Sequence, residues 1–230
     1  MITCTVCGAE NDALAVVCTS CKSYLQGKVD TLNLFETLWG LMETPEKTFH
    51  RIALARYKNY TILLNSLFGC ALVFGVIWSK TLGSAFANLA TLLGTGIVLG
   101  PPAGVIVAAL LAVFARGAGR AMGGHGTIRN VYAVIAYAAA PVAYSLVLVF
   151  PVEIAVFGMY LFGNNPSPMV INPALYIVLI GLDGAAVIWS WFLLGVGVRV
   201  ALALSKGKGY VVSTAMVTLV AAVTFALQAL

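Results

Sequence analysis

Five long apolar blocks dominate this chain, and they leave a lipid bilayer as the only suitable solvent for most of it. The blocks lie near residues 61–79, 97–115, 131–150, 175–196 and 211–230. Each is close to the ~20 helical residues that cross a hydrocarbon core. Only 9% of the 230 residues are charged and 61% are apolar, whereas soluble domains are about one quarter charged. We therefore predict an all-α membrane protein, a five-transmembrane-helix bundle.

Two further apolar stretches complicate the count of spans. Residues 82–96 contain several Gly, Ser, Thr and Asn residues, and Pro101-Pro102 follow them. Residues 152–162 are apolar but shorter than a full span. We expect each stretch to be an interfacial or re-entrant segment rather than a sixth span.

The basic residues orient the predicted spans. Lysine and arginine collect in cytoplasmic loops because they resist translocation. No secretory signal is visible at the N-terminus. With the N-terminus inside and five spans, all of the 13 basic residues except Lys80 fall on the cytoplasmic side. We therefore expect a cytoplasmic N-terminus, a C-terminus outside, and residence in the plasma membrane.

The net charge of +5 points to lipid rather than to nucleic acid as the partner of the chain. The excess of positive charge lies beside the predicted spans, where it suits anionic headgroups. The first sixty residues are balanced in charge and offer no basic patch for nucleic acid.

Two CxxC pairs near the N-terminus predict a metal site. Cys4 and Cys7 form the first pair, and Cys18 and Cys21 form the second. Four thiolates in this arrangement are typical of one structural zinc ion in a zinc ribbon, here residues 1–27. Iron is the alternative metal, and two disulfides are disfavoured in a reducing cytoplasm. The fifth cysteine, Cys70, lies within the first span and is interpreted as a packing residue.

Residues 28–60 predict an amphipathic juxtamembrane linker before the transmembrane domain of residues 61–230. Apolar residues recur at helical spacing, and Thr44-Pro45 is typical of a helix start. The helix could lie at the headgroup level or pack on the cytoplasmic face of the bundle. The residues that we assign to a membrane interface are Trp39, Phe49, Arg51 and Arg56.

Several of these motifs resemble the Yip (Ypt-interacting protein) domain of bacteria and archaea. The similar segments are TPEKTFHRI at residues 44–52 and GGHGTIRNVYAVIAYAAAPVAY at residues 123–144. The resemblance covers roughly residues 40–225 and implies a five-span fold. It also implies a role in membrane organisation, and for eukaryotic members a role in vesicle trafficking in contact with Rab-type GTPases. The signature peptides of those eukaryotic members, Asp-Leu-Tyr-Gly-Pro and Gly-Tyr-Gly, are absent here.

Two acidic residues in the apolar half are candidates for intramembrane function. Asp183 lies within the fourth span, where ionisable groups are costly. Its alternative role is structural, as an Asp that is hydrogen-bonded to a backbone group or to a serine. Glu153 follows Pro151, and we expect it to be solvated near the outer interface. If the two carboxyls converge, a proton or cation path becomes conceivable.

The sequence favours a non-catalytic scaffold over an enzyme. Neither the zinc protease motif H-E-x-x-H nor the nucleophile motif G-x-S-x-G is present, and the glycine-rich loop around His125 lacks the P-loop spacing. We predict a membrane-organising or trafficking-type protein whose zinc ribbon recruits a cytoplasmic protein partner, with a homo-oligomer as a further option. The alternative is a small transporter or channel that uses Asp183 and Glu153.

Overall fold

The computed structural model describes residues 2–12, 15–25 and 31–226, with the side chain of Phe225 left out. The predicted boundary between residues 27 and 28 and the last four residues of the predicted fifth span lie outside the described residues.

The chain is 75% helical. A two-stranded antiparallel sheet, β1 (Ile2–Thr3) and β2 (Glu10–Asn11), pairs Ile2 with Asn11 and Thr3 with Glu10. Ten α-helices are described: α1 (Leu34–Glu43), α2 (Pro45–Leu54), α3 (Thr61–Ser79), α4 (Leu89–Ala121), α5 (Ile128–Ala138), α6 (Ala140–Leu148), α7 (Phe150–Phe157), α8 (Pro168–Ile171), α9 (Pro173–Leu202) and α10 (Lys206–Ala226). Short 3-10 helices occupy Leu82–Ala85 and Gly158–Phe162.

Five helical segments among the described residues are long and apolar enough to cross a membrane, as the sequence predicted. They are Thr61–Ser79, Leu89–Ala121, Ile128–Phe162, Pro173–Leu202 and Lys206–Thr224. The helix of the second candidate span, α4, begins at Leu89, eight residues before the predicted start at Ile97, and contains Pro101 and Pro102 in its interior. Prolines are tolerated inside membrane helices because neighbouring groups can satisfy the freed backbone.

The third span is broken twice. A break at Ala139 separates α5 from α6, and Pro141 lies in the first turn of α6. A second break at Val149 precedes α7, whose first turn contains Pro151. Proline removes a backbone donor and crowds the preceding turn, so a break beside each proline is expected.

The two stretches that we expected to be interfacial or re-entrant form no span of their own, and most of each belongs to a neighbouring candidate span: residues 89–96 to α4 and residues 152–162 to the third span. The 3-10 helix Leu82–Ala85 lies against the 3-10 helix Gly158–Phe162. A Cβ on Gly83 would lie only 2.8 Å from the carbonyl oxygen of Phe162, so the approach requires glycine. The remainder of residues 82–96 is divided between a turn and the first residues of α4.

The chain forms two compact units. The first comprises the described residues within Met1–Ile62, Ala108–Ala138 and Trp191–Val220, and the second those within Leu63–Val107, Ala139–Ser190 and Ala221–Leu230. The core of the second unit consists of the buried residues Cys70, Phe74, Ile77, Leu92, Phe157, Leu161, Phe162 and Leu179. Cys70 therefore has the packing role that the sequence indicated.

In the second unit, α3 and α4 touch through their backbones. A Cβ on Gly104 would overlap the carbonyl oxygen of Asn65, and a Cβ on Gly69 would overlap the carbonyl oxygen of Gly100. Small residues permit this kind of close approach between membrane helices.

In the first unit, α2 packs its apolar face on α5 and α9. Phe49 has no exposed surface, and a Cβ on Gly197 would lie 2.9 Å from its ring and 2.5 Å from Val134. Glu46 in the first turn of α2 also forms a 2.6 Å ion pair with Arg199 near the end of α9. Helix α2 is therefore anchored on protein, which is the second of the two placements that the sequence left open.

Candidate metal centre and intramembrane cavity

Four cysteine thiols converge beside the small sheet. The sulfur atoms of Cys4, Cys7, Cys18 and Cys21 all lie within 4.8 Å of one another. The Sγ of Cys4 is 3.6 Å from that of Cys21, and the Sγ of Cys7 is 3.6 Å from that of Cys18. Tetrahedral thiolates at a metal–sulfur distance of about 2.3 Å are separated by ~3.8 Å. The four thiols are free, and their spacing could hold one metal ion.

The two CxxC pairs adopt the same backbone fold. The N–H of Gly8 donates to the carbonyl of Cys4 at 2.9 Å, and the N–H of Lys22 donates to the carbonyl of Cys18 at 3.0 Å. The N–H of each leading cysteine also donates at 2.8 Å to a carbonyl five residues later in the chain. Gly8 has a φ of +79° and Lys22 a φ of +60°. Lys22 thus occupies the position in the second pair that Gly8 occupies in the first, and it forms the same turn.

Hydrogen bonds favour the thiolate form of one cysteine, Cys18. Burial raises the pKa of the Cys18 thiol, but hydrogen bonds from the backbone N–H groups of Cys21 and Ser20 and from the Asn11 side chain lower it to about 6. Burial and the neighbouring sulfurs raise the pKa of Cys7 to about 12. Four thiolates therefore need a positive charge among them, which a bound metal ion supplies.

Asn11 is hydrogen-bonded to the backbone beside the cysteine cluster. Its Nδ2 donates to the carbonyl of Ala9 at 2.9 Å and lies 3.5 Å from the Sγ of Cys18. Its Oδ1 accepts from the N–H of Thr19 at 2.9 Å. The sequence analysis missed Asn11, because an asparagine between two CxxC pairs carries no signal that distinguishes a structural partner from a loop residue.

The cysteine module is fastened to the membrane domain by a buried asparagine. Asn130, in the first turn of α5, is 1% exposed and donates from Nδ2 to the carbonyls of Thr5 at 2.7 Å and Val6 at 3.0 Å. Both carbonyls belong to the knuckle between Cys4 and Cys7. Sequence analysis also missed this residue, although it lies in the segment that resembles the Yip domain. A polar residue near the start of an apolar span is the signal that could have found it.

The residues predicted for a membrane interface fall into two groups. Trp39 is 64% exposed on α1, beside the exposed Phe35 and Met42. Arg51 pairs with Glu36, and Arg56 lies 5.6 Å from the ring centre of Tyr57. Phe49 differs from these residues, because it is fully buried between helices.

The glycine-rich loop before α5 is a tight turn. Gly123 has a φ of +84°, and the N–H of His125 donates to the carbonyl of Leu202 at 2.8 Å. A Cβ on Gly126 would overlap the carbonyl oxygen of Ala201. The glycines thus let the loop lie against the end of α9.

The two predicted carboxyls converge on one cavity within the second unit. The cavity has a volume of about 360 Å³, and its lining includes Ser145 on α6, Glu153 on α7 and Asp183 on α9. The hydroxyl of Ser145 donates to Asp183, in agreement with the structural role that the sequence left open for that residue. The expectation that Glu153 is solvated is wrong, because the residue lies on a buried face of α7 and is only 3% exposed.

These observations define a multi-pass membrane protein with five candidate spans and a cysteine cluster that could hold a metal ion. The Yip1 domain model matches residues 39–227, and the chain therefore belongs to this trafficking-related family of membrane proteins. The matched range includes α2, all five candidate spans and Asn130, while the four clustered cysteines precede it. No significant match was found among curated proteins or among solved structures.

Proposed function

We propose that this protein is a non-catalytic membrane-organising scaffold with a zinc-binding module that recruits a cytoplasmic protein. The observation that carries the proposal is the attachment of the cysteine knuckle to α5 through Asn130. A module held in this way presents the remainder of its surface in a fixed orientation. A partner that binds the module is then positioned with respect to the membrane.

Zinc is the metal that suits the four thiols best. Zn²⁺ favours tetrahedral sites of four cysteines, and structural sites of this kind supply folding energy to small domains. Among the described residues of the module, the regular structure consists of the two-residue strands β1 and β2 and a bridge between Val17 and Tyr24, so the module depends on such a contribution. One structural zinc ion per chain is expected.

The distribution of charge supports a cytoplasmic module. Every described lysine and arginine except Lys80 lies in the unit that contains the cysteine cluster. Cationic residues flanking membrane spans are retained on the cytoplasmic side. We infer a cytoplasmic N-terminus, a C-terminus outside and a plasma-membrane location.

Helix α1 completes the proposed cytoplasmic face as a contact with lipid headgroups. Trp39 supplies an exposed aromatic ring on α1, and Arg56 is exposed beside Tyr57. The Arg51 guanidinium ties α2 to α1 through its ion pair with Glu36. Aromatic and cationic side chains of this kind anchor helices at the interface. Phe49 is not included, because it packs inside the protein.

The experiment measures metal and partners on the same full-length protein. Metal analysis of the purified chain should give about one zinc per chain, and the Cys18→Ser, Cys21→Ser double variant should give none. Cys70→Ser removes a cysteine from the core of the second unit and serves as the matched control, with zinc retained. Affinity capture should recover a soluble protein with the parent and with Cys70→Ser, but not with the double variant. A parent without metal, or a double variant with the same captured proteins, contradicts the proposal.

The shared cavity supports a second candidate function, a small transporter or channel. Asp183 and Glu153 both line it, and intramembrane carboxyls commonly mark proton or ion paths. Asp183→Asn should then abolish a flux through the protein in vesicles without preventing folding. An unchanged flux, or no flux in the parent, argues against this function.

A further inference from the structure

The cavity of the second unit combines an apolar wall with three oxygen-bearing side chains. The rings of Phe74 and Phe150 are tilted by 32° with their centres 4.6 Å apart, and Trp78 is a further aromatic residue of the lining. The polar side chains in the lining are Ser145, Glu153 and Asp183. The volume of about 360 Å³ is within the range of small-molecule sites, roughly 300–1,000 Å³.

Glu153 is the feature that points to a ligand. Its side chain is almost completely buried, it lines the cavity, and its Oε1 has no hydrogen-bond partner within the described part of the chain. A buried polar atom without a partner costs about 1–3 kcal/mol, and a buried charge costs more unless it is paired. The lining contains no lysine, arginine or histidine among the described residues that could supply a counter-charge.

We propose that this cavity binds an ammonium ion with an apolar body, such as a protonated primary amine. The ammonium group donates hydrogen bonds to Glu153, Asp183 and Ser145, while the apolar body lies against Phe74, Phe150 and Trp78. The inference concerns binding alone, so it requires neither the zinc module nor transport.

The donor count separates an ammonium ion from a metal ion. A primary ammonium has three N–H donors, which match three oxygen-bearing side chains. Calcium takes six to eight oxygen ligands, and magnesium keeps an octahedral shell. Glu153, Asp183 and Ser145 offer at most five oxygen atoms, which is fewer than calcium takes, and among the described residues the lining holds no further oxygen-bearing side chain to bind the waters that magnesium keeps. Aromatic rings, in contrast, attract an organic cation through their faces.

Benzylamine is a suitable probe, with neutral benzyl alcohol as its matched analogue. Binding is measured by isothermal titration calorimetry on the full-length protein in detergent micelles. Benzylamine should bind saturably, and benzyl alcohol should bind at least about tenfold more weakly, because charge-assisted hydrogen bonds to the carboxyls are lost.

Two pairs of variants test separately the charge of Glu153 and the space within the cavity. Glu153→Gln should weaken benzylamine binding at least about tenfold, whereas Glu43→Gln, a carboxyl on α1 outside the cavity, should leave it unchanged. Gly184→Leu should block the cavity without a change in charge, because Gly184 lines it. Gly181→Leu is its control: Gly181 is one turn away on α9 and outside the lining, and a Cβ at either glycine meets no atom within 4 Å.

Lipid composition distinguishes a free amine from an amine headgroup. Benzylamine binding is compared in nanodiscs of phosphatidylglycerol alone and of phosphatidylglycerol with phosphatidylethanolamine. Weaker apparent binding with phosphatidylethanolamine identifies the lipid headgroup as a competing ligand. Equal binding in both identifies a free amine.

Three results would overturn the proposal. Equal affinity for benzylamine and benzyl alcohol would show that the cavity selects only an apolar ring. Undiminished binding to a folded Gly184→Leu variant would place the ligand elsewhere. Saturable Ca²⁺ binding that is lost in Glu153→Gln, without any benzylamine binding, would assign the carboxyls to a metal.

Discussion

Replacement of Asn130 by alanine should weaken metal binding at the four clustered cysteines, although Asn130 is not one of the metal ligands. The Asn130 amide donates to the carbonyls of Thr5 and Val6, between the first two cysteines of the cluster. Val6 is 5% exposed and Thr5 is exposed, so only the Val6 carbonyl is left buried without a partner in the variant.

The magnitude follows from these two hydrogen bonds. A buried acceptor without its donor costs about 1–3 kcal/mol, whereas the Thr5 carbonyl can turn to water at a smaller cost. A total of about 2 kcal/mol corresponds to a factor of ~30 in an equilibrium constant. If the module folds together with a metal ion, as proposed, the lost docking energy lowers the metal affinity by the same factor.

The assay is a competition for zinc between the full-length protein in micelles and a chromogenic chelator. Asn130→Ala should raise the zinc Kd about 10–100-fold, and Asn130→Asp, which keeps the shape but removes the donors, should do so too. Asn88→Ala serves as the control, because Asn88 caps α4 in the other unit. A Kd for Asn130→Ala within threefold of the parent value would refute the coupling between the knuckle and α5.

Three further predictions test the turns, the helix contact and the ion pair. Gly8→Ala should destabilise the metal-loaded module by about 1 kcal/mol, whereas Lys22→Gly should stabilise it, because both positions have left-handed backbone. Chelator-induced unfolding followed by circular dichroism measures both effects. A Lys22→Gly variant that is less stable than the parent would contradict the prediction. Gly104→Ala should lower the free energy of unfolding, measured in mixed micelles, by about 1–3 kcal/mol. Gly94→Ala is the control and should not lower it, because a Cβ on Gly94 meets no atom within 4 Å. Equal losses in the two variants would contradict the backbone contact between α3 and α4. The hydrogen bond and charge of Arg199 lower the pKa of Glu46 below its usual 4.5, so this pair stabilises the fold above that pH and the stabilisation is lost as pH falls. Glu46→Gln should therefore lower the free energy of unfolding by less than about 1 kcal/mol at pH 7 and leave it unchanged in strong acid. Denaturation measured across pH tests this, and a loss that is independent of pH would contradict the role of the ion pair.

The parts of the structure that follow a local pattern were predictable from the sequence. The span Thr61–Ser79 was predicted with its observed ends, because polar residues bound it on both sides. The four clustered cysteines were predicted from their spacing, since CxxC brings two thiols to one side of a turn. The start of α2 at Pro45 follows from the preference of proline for the first helical turn.

The parts that depend on contacts between distant residues were not predictable. Glu153 follows a proline, which suggested an interface, yet α7 buries it beside α9. Asn130 resembles any polar residue near the end of a span until the knuckle is placed on it. Phe49 has the periodicity of a lipid-facing residue, and only the approach permitted by Gly197 makes it a core residue. Each of these outcomes depends on a partner far away in the chain.

The contact between Asn130 and the cysteine knuckle also sets an order of events during synthesis. Asn130 is 125 residues beyond Thr5, so the ribosome completes the cysteine module long before the helix that receives it. At about 5–20 residues per second, this interval lasts roughly 6–25 s. During that time the nascent module has four thiols and no docking surface. A metal ion held by the four thiols would then be the contact that keeps the module folded until α5 has been made.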